Sequence, residues 1–190
     1  EKKDSKHDHI IFLFDKNLQL IYNDVRKFGF IKFDKVKNIE NNQHLKNLGP
    51  EPLEIFFNFK YVKNYFKGRN RTVKDLLMDQ KFVSGLGNIY VNEILFYSNI
   101  KPIRKISTLD DCEIKKIITN TKKILKKAIK LGGSSIRNFS DSSGETGSFQ
   151  QCFRVYGRIG EKCSNSDCNC IITKIIISNR ASFFCSKCQK

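Results

Sequence analysis

Hydrophobic and polar positions follow two different periods along this chain. Residues 9–33, HIIFLFDKNLQLIYNDVRKFGFIKF, alternate β-forming apolar residues with polar ones, and Asp-Lys-Asn separates two runs. This period is typical of strands joined by a turn. Residues 34–47 are polar without a clear period, which indicates a linker or a short helix. The glycine and prolines of residues 48–53, LGPEPL, predict an interruption of regular structure and a domain boundary.

The apolar spacing becomes three and four residues from residue 54 to about residue 130, which predicts helices. The predicted helical segments are FNFKYVKNYF, TVKDLLMDQKFV, NIYVNEILFYSNI and TLDDCEIKKIITNTKKILKKAIKLGG. We expect Thr72 to cap the second of these helices and Asn88 to cap the third. Thr108 and Asp111 have the spacing of a capping box at the start of the fourth.

The charge of the chain points to an anionic partner. Lys and Arg number 35 against 19 Asp and Glu, which gives a net charge of +16. Such a field favours nucleic acid as partner, although a lysine-rich coding bias is an alternative explanation. No apolar run approaches the roughly 20 residues of a membrane span, so we expect no membrane association. Because residue 1 is Glu and no leader is visible, we also expect a fragment or a processed product.

The C-terminal segment from residue 163 carries five of the seven cysteines. Two closely spaced pairs of thiols predict a tetrahedral zinc site, with unligated thiols as the alternative. The preferred ligands are Cys163, Cys168, Cys185 and Cys188, and the residues between the two pairs leave room for a β-hairpin. Cys170 competes with these ligands, because it lies only two residues beyond Cys168.

Two further segments carry possible phosphate-binding chemistry. Gly85 and Gly87 lie between two predicted helices, where free backbone N–H groups at a helix start can bind phosphate. An ordinary helix–helix turn is the alternative. Arg26 and Lys27 precede Phe28, an arrangement that can contact phosphate and wedge between bases, or can simply end a strand.

Nine segments together resemble the bacterial formamidopyrimidine-DNA glycosylase family nearly end to end. They are KHDH, YNDVRKFGF, LGPEPL, LLMDQKFVSGLGNIYVNEILF, IKPIRK, AIKLGGSSIRNF, GETGSFQ, FRVYGRIGEKC and NRASFFCSKCQ. The resemblance implies an α+β fold. It assigns residues 1–33 to the last strands of an N-terminal β-sandwich, 34–50 to a linker, 51–148 to a helix-two-turns-helix DNA-binding domain and 154–188 to a β-hairpin zinc finger.

The resemblance also implies base-excision repair. The family's members are bifunctional DNA glycosylase/AP lyases that remove oxidised purines, 8-oxoguanine and formamidopyrimidines, from duplex DNA with β,δ-elimination. We accordingly expect one zinc ion per chain, a monomer, and action on the nucleoid in the bacterial cytoplasm. The family's nucleophilic N-terminal proline, its glutamate and a catalytic lysine would all precede Glu1, so we expect the printed chain alone to be inactive.

Three alternative functions remain at this point. One is a non-enzymatic, zinc-containing DNA-binding module. Another is an endonuclease VIII-like glycosylase for oxidised pyrimidines, which shares the architecture, although the glycine turn and GETGSFQ are more similar to the purine enzyme. A ribosome-associated zinc protein is supported by charge only.

The resemblance assigns three DNA contacts near the N-terminus. His7 matches a DNA-contacting histidine. Arg26 matches the arginine that enters the gap left by the flipped base and faces the orphaned cytosine. Phe28 matches the wedge beside it, which fills space that would otherwise leave the unstacked duplex a few kcal/mol less stable.

The remaining matches lie in the second half of the chain. Lys74 matches a lysine near the phosphates, whereas Asn70 stands where many members carry a basic DNA contact. Gly87 and Asn88 match the phosphate-binding turn. Residues 142–149 match a loop over the flipped purine.

Arg180 matches the arginine at the tip of the zinc-finger hairpin, to which a catalytic role in the second elimination is assigned. Guanidinium is a poor acid. Stabilising the charge of the leaving phosphate is the physically easier role. In this interpretation the zinc ion fixes the base of the hairpin so that Arg180 reaches the DNA backbone.

Overall fold

The structure, a computed structural model, describes residues 6–134 and 146–190. The chain divides into two compact units, Glu1–Leu45 and Lys46–Lys190. Helices and antiparallel hairpins both occur, which confirms the predicted α+β class. Within the described residues, no helix is both long and apolar enough to cross a membrane.

The first unit is built on one antiparallel hairpin, β1 (Asp8–Leu13) and β2 (Gln19–Asn23), in which Ile11 pairs with Ile21. The predicted turn at Asp-Lys-Asn is present as a short 3-10 segment, Asp15–Asn17. A second 3-10 helix, Val36–Asn41, lies in the stretch predicted as a linker or a short helix.

The strand prediction is wrong beyond Asn23, and Asp24 supplies the physical reason. Its carboxylate accepts hydrogen bonds from the backbone N–H groups of Arg26 (3.0 Å), Lys27 (2.9 Å) and Gly29 (2.7 Å). These bonds turn the backbone back on itself, and Lys27 takes a φ of 56°. Local hydrogen bonding by an Asp side chain competes here with strand pairing.

The second unit contains four α-helices in its described part. They are α1 (Phe59–Phe66), α2 (Val73–Leu77), α3 (Asn88–Tyr97) and α4 (Asp111–Lys130). The core residues share nearly complete burial and come from all four helices and their connections: Phe57, Val62, Leu76, Phe82, Leu86, Ile94 and Ile117. Residues 91–96 of α3 are all buried, so this helix is covered on every side.

The helix starts agree with the sequence only in part. Thr72 is the N-cap of α2 and accepts a hydrogen bond from the Asp75 amide at 3.2 Å, as predicted. The predicted capping role of Asn88 is wrong, because Gly87 is the N-cap of α3 and Asn88 is its first helical residue. The side chain of Asn88 is used elsewhere.

The capping box predicted at Thr108 and Asp111 is also wrong. The box is formed two residues later, where the Asp110 carboxylate accepts from the Glu113 amide (2.7 Å) and Glu113 accepts from the Asp110 amide (3.0 Å). Asp110 and Glu113 thus each satisfy one backbone amide at the helix start. Thr108 instead ends the 3-10 segment Ile106–Thr108, and its hydroxyl donates to the Lys105 carbonyl.

The C-terminal part of this unit is a hairpin of β3 (Ile172–Ile177) and β4 (Arg180–Cys185). Ile177 pairs with Arg180 and Ile172 pairs with Cys185. The two residues between the strands, Ser178 and Asn179, have φ values of 46° and 59°, as in a tight two-residue hairpin turn. Arg180 therefore stands at the tip of the hairpin and Cys185 at its base.

Gly49, in the LGPEPL segment, provides a test of the packing. A Cβ added there would meet the backbone C and O atoms of Phe82 and come within 2.8 Å of Val83 N. We expect Gly49→Ala to lower the free energy of unfolding by about 1–3 kcal/mol, because the clash is with backbone. The comparison variant is Gly87→Ala, where an added Cβ meets nothing within 4 Å and only the smaller N-cap preference of glycine over alanine is lost. Equal urea midpoints for the two variants would contradict this packing.

Candidate nucleic-acid interface and metal centre

The first unit presents an exposed Arg–aromatic pair at its Asp24 turn. The guanidinium of Arg26 lies 4.6 Å from the centroid of the Phe28 ring, and the Phe28 side chain is 77% exposed. The Asp24 amide donates to the His7 carbonyl at 3.0 Å, so the structure brings His7 to the same end of the hairpin as this turn. A cation stacked on an exposed ring is suited to phosphate and base contacts. The DNA-binding roles of the three residues stay predictions.

A glycine-containing turn links α2 to α3 in the second unit. Gln80 closes it, because its Oε1 accepts from the Gly85 amide at 2.7 Å and its Nε2 donates to the Leu86 carbonyl at 3.1 Å. Gly85 has a φ of 77°, and Gly87 is exposed with open space around its α-carbon. The first turn of a helix leaves backbone N–H groups without intrahelical acceptors. The start of α3 therefore has the shape and the polarity of a phosphate site.

Lys74 and Asn88, both predicted as DNA contacts, direct their side chains to β4. The ammonium of Lys74 donates to the Ala181 carbonyl and to Ser182 Oγ, each at 2.7 Å. Asn88 Nδ2 donates to the same Ala181 carbonyl at 3.1 Å. Lys74 is only 1% exposed. These two residues thus connect the α2–α3 turn to the hairpin.

Two further polar residues of α3 hold the C-terminal segment. Asn92 Oδ1 accepts from the Phe183 amide at 2.6 Å. The Glu93 carboxylate accepts from three successive amides, those of Arg154 (2.9 Å), Val155 (3.0 Å) and Tyr156 (2.9 Å). Burial raises the pKa of Glu93, while the three amides act in the opposite direction.

Sequence reasoning missed Asn92 and Glu93, although a signal was present. They are adjacent polar residues inside the otherwise apolar run NIYVNEILFY, and both are at most 1% exposed. A buried polar pair in a helix that is covered on every side requires partners from another segment. The pattern alone does not say which segment supplies them.

Arg180 lies exposed at the hairpin tip and shares a cleft of about 260 Å³ with Lys74. Arg71 and Asp79 line the same cleft and form an ion pair with each other. Asn70 is exposed, and its carbonyl accepts from the Lys105 ammonium at 3.3 Å. The cleft brings Arg180 and Lys74 together, whereas Asn70 is not among its lining residues. Of the predicted loop 142–149, residues 142–145 lie outside the described residues.

The four preferred cysteines converge at the base of the hairpin. The Sγ atoms of Cys163, Cys168, Cys185 and Cys188 all lie within 4.8 Å of one another. The Cys168–Cys185 sulfur distance is 3.6 Å and the Cys163–Cys188 distance is 3.8 Å. Tetrahedral zinc thiolates with bonds of about 2.3 Å have sulfur–sulfur edges of about 3.8 Å. These four cysteines could therefore hold a metal ion, and the donor set fits zinc.

Cys170 lies outside this group of thiols but supports it through its backbone. Its carbonyl accepts from the Cys163 amide at 2.8 Å. Its amide donates to the sulfur of Cys168, which lowers the pKa of that thiol to about 7. Burial raises the pKa of Cys163 to about 12.

Comparison with known proteins places this geometry in a family. Residues 48–140 match the formamidopyrimidine-DNA glycosylase H2TH domain. The chain is 41% identical over 185 residues to formamidopyrimidine-DNA glycosylase of Roseobacter denitrificans, covering 97% of this chain and 65% of that protein. A Lactococcus lactis Fpg mutant bound to Fapy-dG-containing DNA aligns with a TM-score of 0.91 and 38% identity, covering 100% of this chain and 69% of that one. The chain belongs to the formamidopyrimidine-DNA glycosylase family.

Other family members are similar over the same extent. MutM (Fpg) of Thermus thermophilus aligns with a TM-score of 0.89 and 30% identity, covering 98% of this chain and 70% of that one. The Lactococcus lactis enzyme has also been solved with DNA that contains an abasic site, and it aligns with a TM-score of 0.90. The chain spans about 65% of the length of the first curated relatives that it matches.

The thiol cluster predicts different outcomes for two neighbouring cysteines. We expect Cys170→Ser to keep one bound metal ion per chain, because the backbone of Cys170, rather than its thiol, supports the cluster. Cys168→Ser should lose the ion, because a hydroxyl replaces one of four thiolates. Atomic emission on the purified full-length protein measures the metal content. Loss of metal in Cys170→Ser with retention in Cys168→Ser would reverse the ligand assignment.

Proposed function

We propose that the chain is the DNA-binding and hairpin-bearing part of a bifunctional DNA glycosylase/AP lyase of base-excision repair. Its substrates would be oxidised purines, 8-oxoguanine and formamidopyrimidines, in duplex DNA, released with β,δ-elimination. The observation that carries the proposal is the tip residue Arg180, which stands on a hairpin held by buried side chains beside the glycine turn of α3. Identity of 38–41% with curated members of the family supports the reaction class.

The glycine turn and the hairpin tip would bind the DNA backbone. The start of α3 offers backbone N–H groups and a positive dipole end to one phosphate. Arg180 can make a bidentate, charge-assisted contact with another phosphate. In the second elimination this guanidinium would stabilise the charge on the departing phosphate.

The exposed pair in the first unit would act on the base stack. Removing a base from the duplex leaves a gap and costs a few kcal/mol of stacking. The side chain of Phe28 is large, apolar and exposed, so it can wedge at the gap, and Arg26 beside it can donate hydrogen bonds to the orphaned base. His7, at the same end of the hairpin, would contact the backbone.

The thiol cluster would hold one zinc ion as a structural centre. A closed set of four thiolates leaves no position for water or substrate, so zinc would supply folding stability rather than Lewis-acid catalysis. Cys185 ends β4 and Cys168 precedes β3, so the ion would join the two ends of the hairpin. The protein would act as a monomer on DNA in the bacterial cytoplasm, in keeping with its bacterial relatives.

Borohydride trapping of the full-length protein on duplex DNA tests the proposal. An amine nucleophile that forms a Schiff base with the sugar becomes covalently attached to the DNA on reduction. We expect an adduct with 8-oxoguanine duplex and little adduct with undamaged duplex. No adduct on any substrate would favour a non-enzymatic DNA-binding module. Preferential trapping on oxidised pyrimidines would favour the endonuclease VIII-like alternative.

A further inference from the structure

We propose that Lys74 is a positioning residue that holds the Arg180 end of β4 against α2 and α3, and that it does not itself bind a DNA phosphate. This inference rests on the proposed function, because it names how that function's hairpin is held. It also reassigns a residue that sequence resemblance alone places among the phosphate contacts.

The burial of Lys74 is the first argument. The residue is 1% exposed, and its ammonium lies 2.7 Å from both the Ala181 carbonyl and Ser182 Oγ. Ser182 is itself completely buried. A phosphate outside the protein could reach this ammonium only if both hydrogen bonds broke and the hairpin moved. The two acceptors belong to the residues that directly follow Arg180.

Two neighbouring side chains also form hydrogen bonds with backbone groups of β4. Asn88 donates to the Ala181 carbonyl at 3.1 Å, and Asn92 accepts from the Phe183 amide at 2.6 Å. Three consecutive residues of β4 are therefore held by side chains of α2 and α3. Arg180, the residue before them, remains exposed and free to meet a ligand.

The protonation of Lys74 depends on whether Arg180 has bound an anion. The charged groups around Lys74 are Arg180 on the hairpin, Asp75 and Asp79 on the α2 side, and Arg71, which pairs with both carboxylates. Burial and then the charge of Arg180 lower the pKa of Lys74 to about 8. A phosphate bound by Arg180 would offset that repulsion and favour the protonated ammonium. Binding would then take up a proton, so affinity should fall as the pH rises through about 8.

The experiment measures the affinity of the full-length protein for a duplex that carries a tetrahydrofuran abasic-site analogue. Fluorescence anisotropy is recorded as a function of salt and of pH on both sides of the Lys74 pKa. The variants are Lys74→Met, Lys74→Arg, Ser182→Ala, Arg180→Ala and the Lys74→Met/Arg180→Ala pair. Lys126→Met, which removes an exposed lysine of α4, is the matched control for loss of one positive charge.

A positioning role predicts a distinct set of results. Arg180→Ala should weaken binding by about tenfold to a hundredfold, the loss expected for a charge-assisted hydrogen bond. Lys74→Met should add little to that loss in the double variant, because it acts through Arg180. Lys74→Arg should be as weak as Lys74→Met, since guanidinium does not fit the enclosed site. The decline of affinity with pH should persist in Lys126→Met and disappear in Lys74→Met.

Ser182→Ala keeps the test decisive if Lys74→Met fails to fold. Ser182 is inaccessible to DNA, so only a positioning role predicts a loss of affinity, of about tenfold, when its hydrogen bond from the Lys74 ammonium is removed. Three results would each overturn the inference. The first is unchanged affinity in Ser182→Ala, and the second is normal binding by Lys74→Arg. The third is a loss in Lys74→Met that multiplies with the loss in Arg180→Ala, together with a salt slope reduced by about 0.9 in Lys74→Met. If the wild-type protein does not prefer the abasic duplex to undamaged duplex, the proposed function fails instead.

Discussion

The contacts between the buried polar side chains of α3 and the backbone of the C-terminal segment are the constraint on which this half of the molecule depends. Asn92 and Glu93 lie inside the core and accept four backbone amides from two separate stretches of chain. A buried donor or acceptor without a partner costs about 1–3 kcal/mol. Because the side-chain oxygens of α3 and the amides of the C-terminal segment are each other's hydrogen-bond partners, this packing leaves none of these groups unpaired.

The hairpin is consequently held at both ends. At its base, the four thiols converge, and Gln189 accepts from the Cys185 amide at 2.9 Å while donating to the Ile100 carbonyl at 2.8 Å. At its tip, Lys74 and Asn88 hold the Ala181 carbonyl. If a structural metal at the base were the only constraint, the tip of the hairpin could move. The contacts at the tip limit that motion and position Arg180. The two hydrogen bonds of Lys74 offset part of the cost of burying its ammonium.

The sequence predicts α1, α3, α4 and the hairpin well, because these rest on local periodicity and turn chemistry. The second predicted helix is only partly right, because α2 ends at Leu77 and residues 78–83 are not helical. The apolar period locates α4, and the spacing of the cysteines anticipates the thiol cluster that the structure assembles. The failures occur where two local options compete. Asp24 takes three amides that a strand would have used, and Asp110 with Glu113 caps α4 in place of Thr108 with Asp111. The apolar period alone does not indicate which of two competing local hydrogen-bonding arrangements forms.

The predicted site residues also fall into two groups, those that are exposed and those that are buried. Exposed candidates such as Arg26, Phe28 and Arg180 follow from resemblance and lie where a ligand could reach them. The burial of Lys74 could not be predicted, because a lysine normally faces solvent. Its partners are more than 100 residues away along the chain and are visible only when the hairpin is folded against α2.

Native-state hydrogen exchange at the Phe183 amide tests the central claim most directly. In the wild-type protein this amide, bonded to Asn92, should be protected comparably to the Ile117 amide within α4. In Asn92→Ala its protection should fall by about tenfold to a hundredfold, since a buried donor loses its only side-chain acceptor among the described residues, while Ile117 stays protected. Unchanged protection of Phe183 in Asn92→Ala would contradict the claim that α3 holds the hairpin in place.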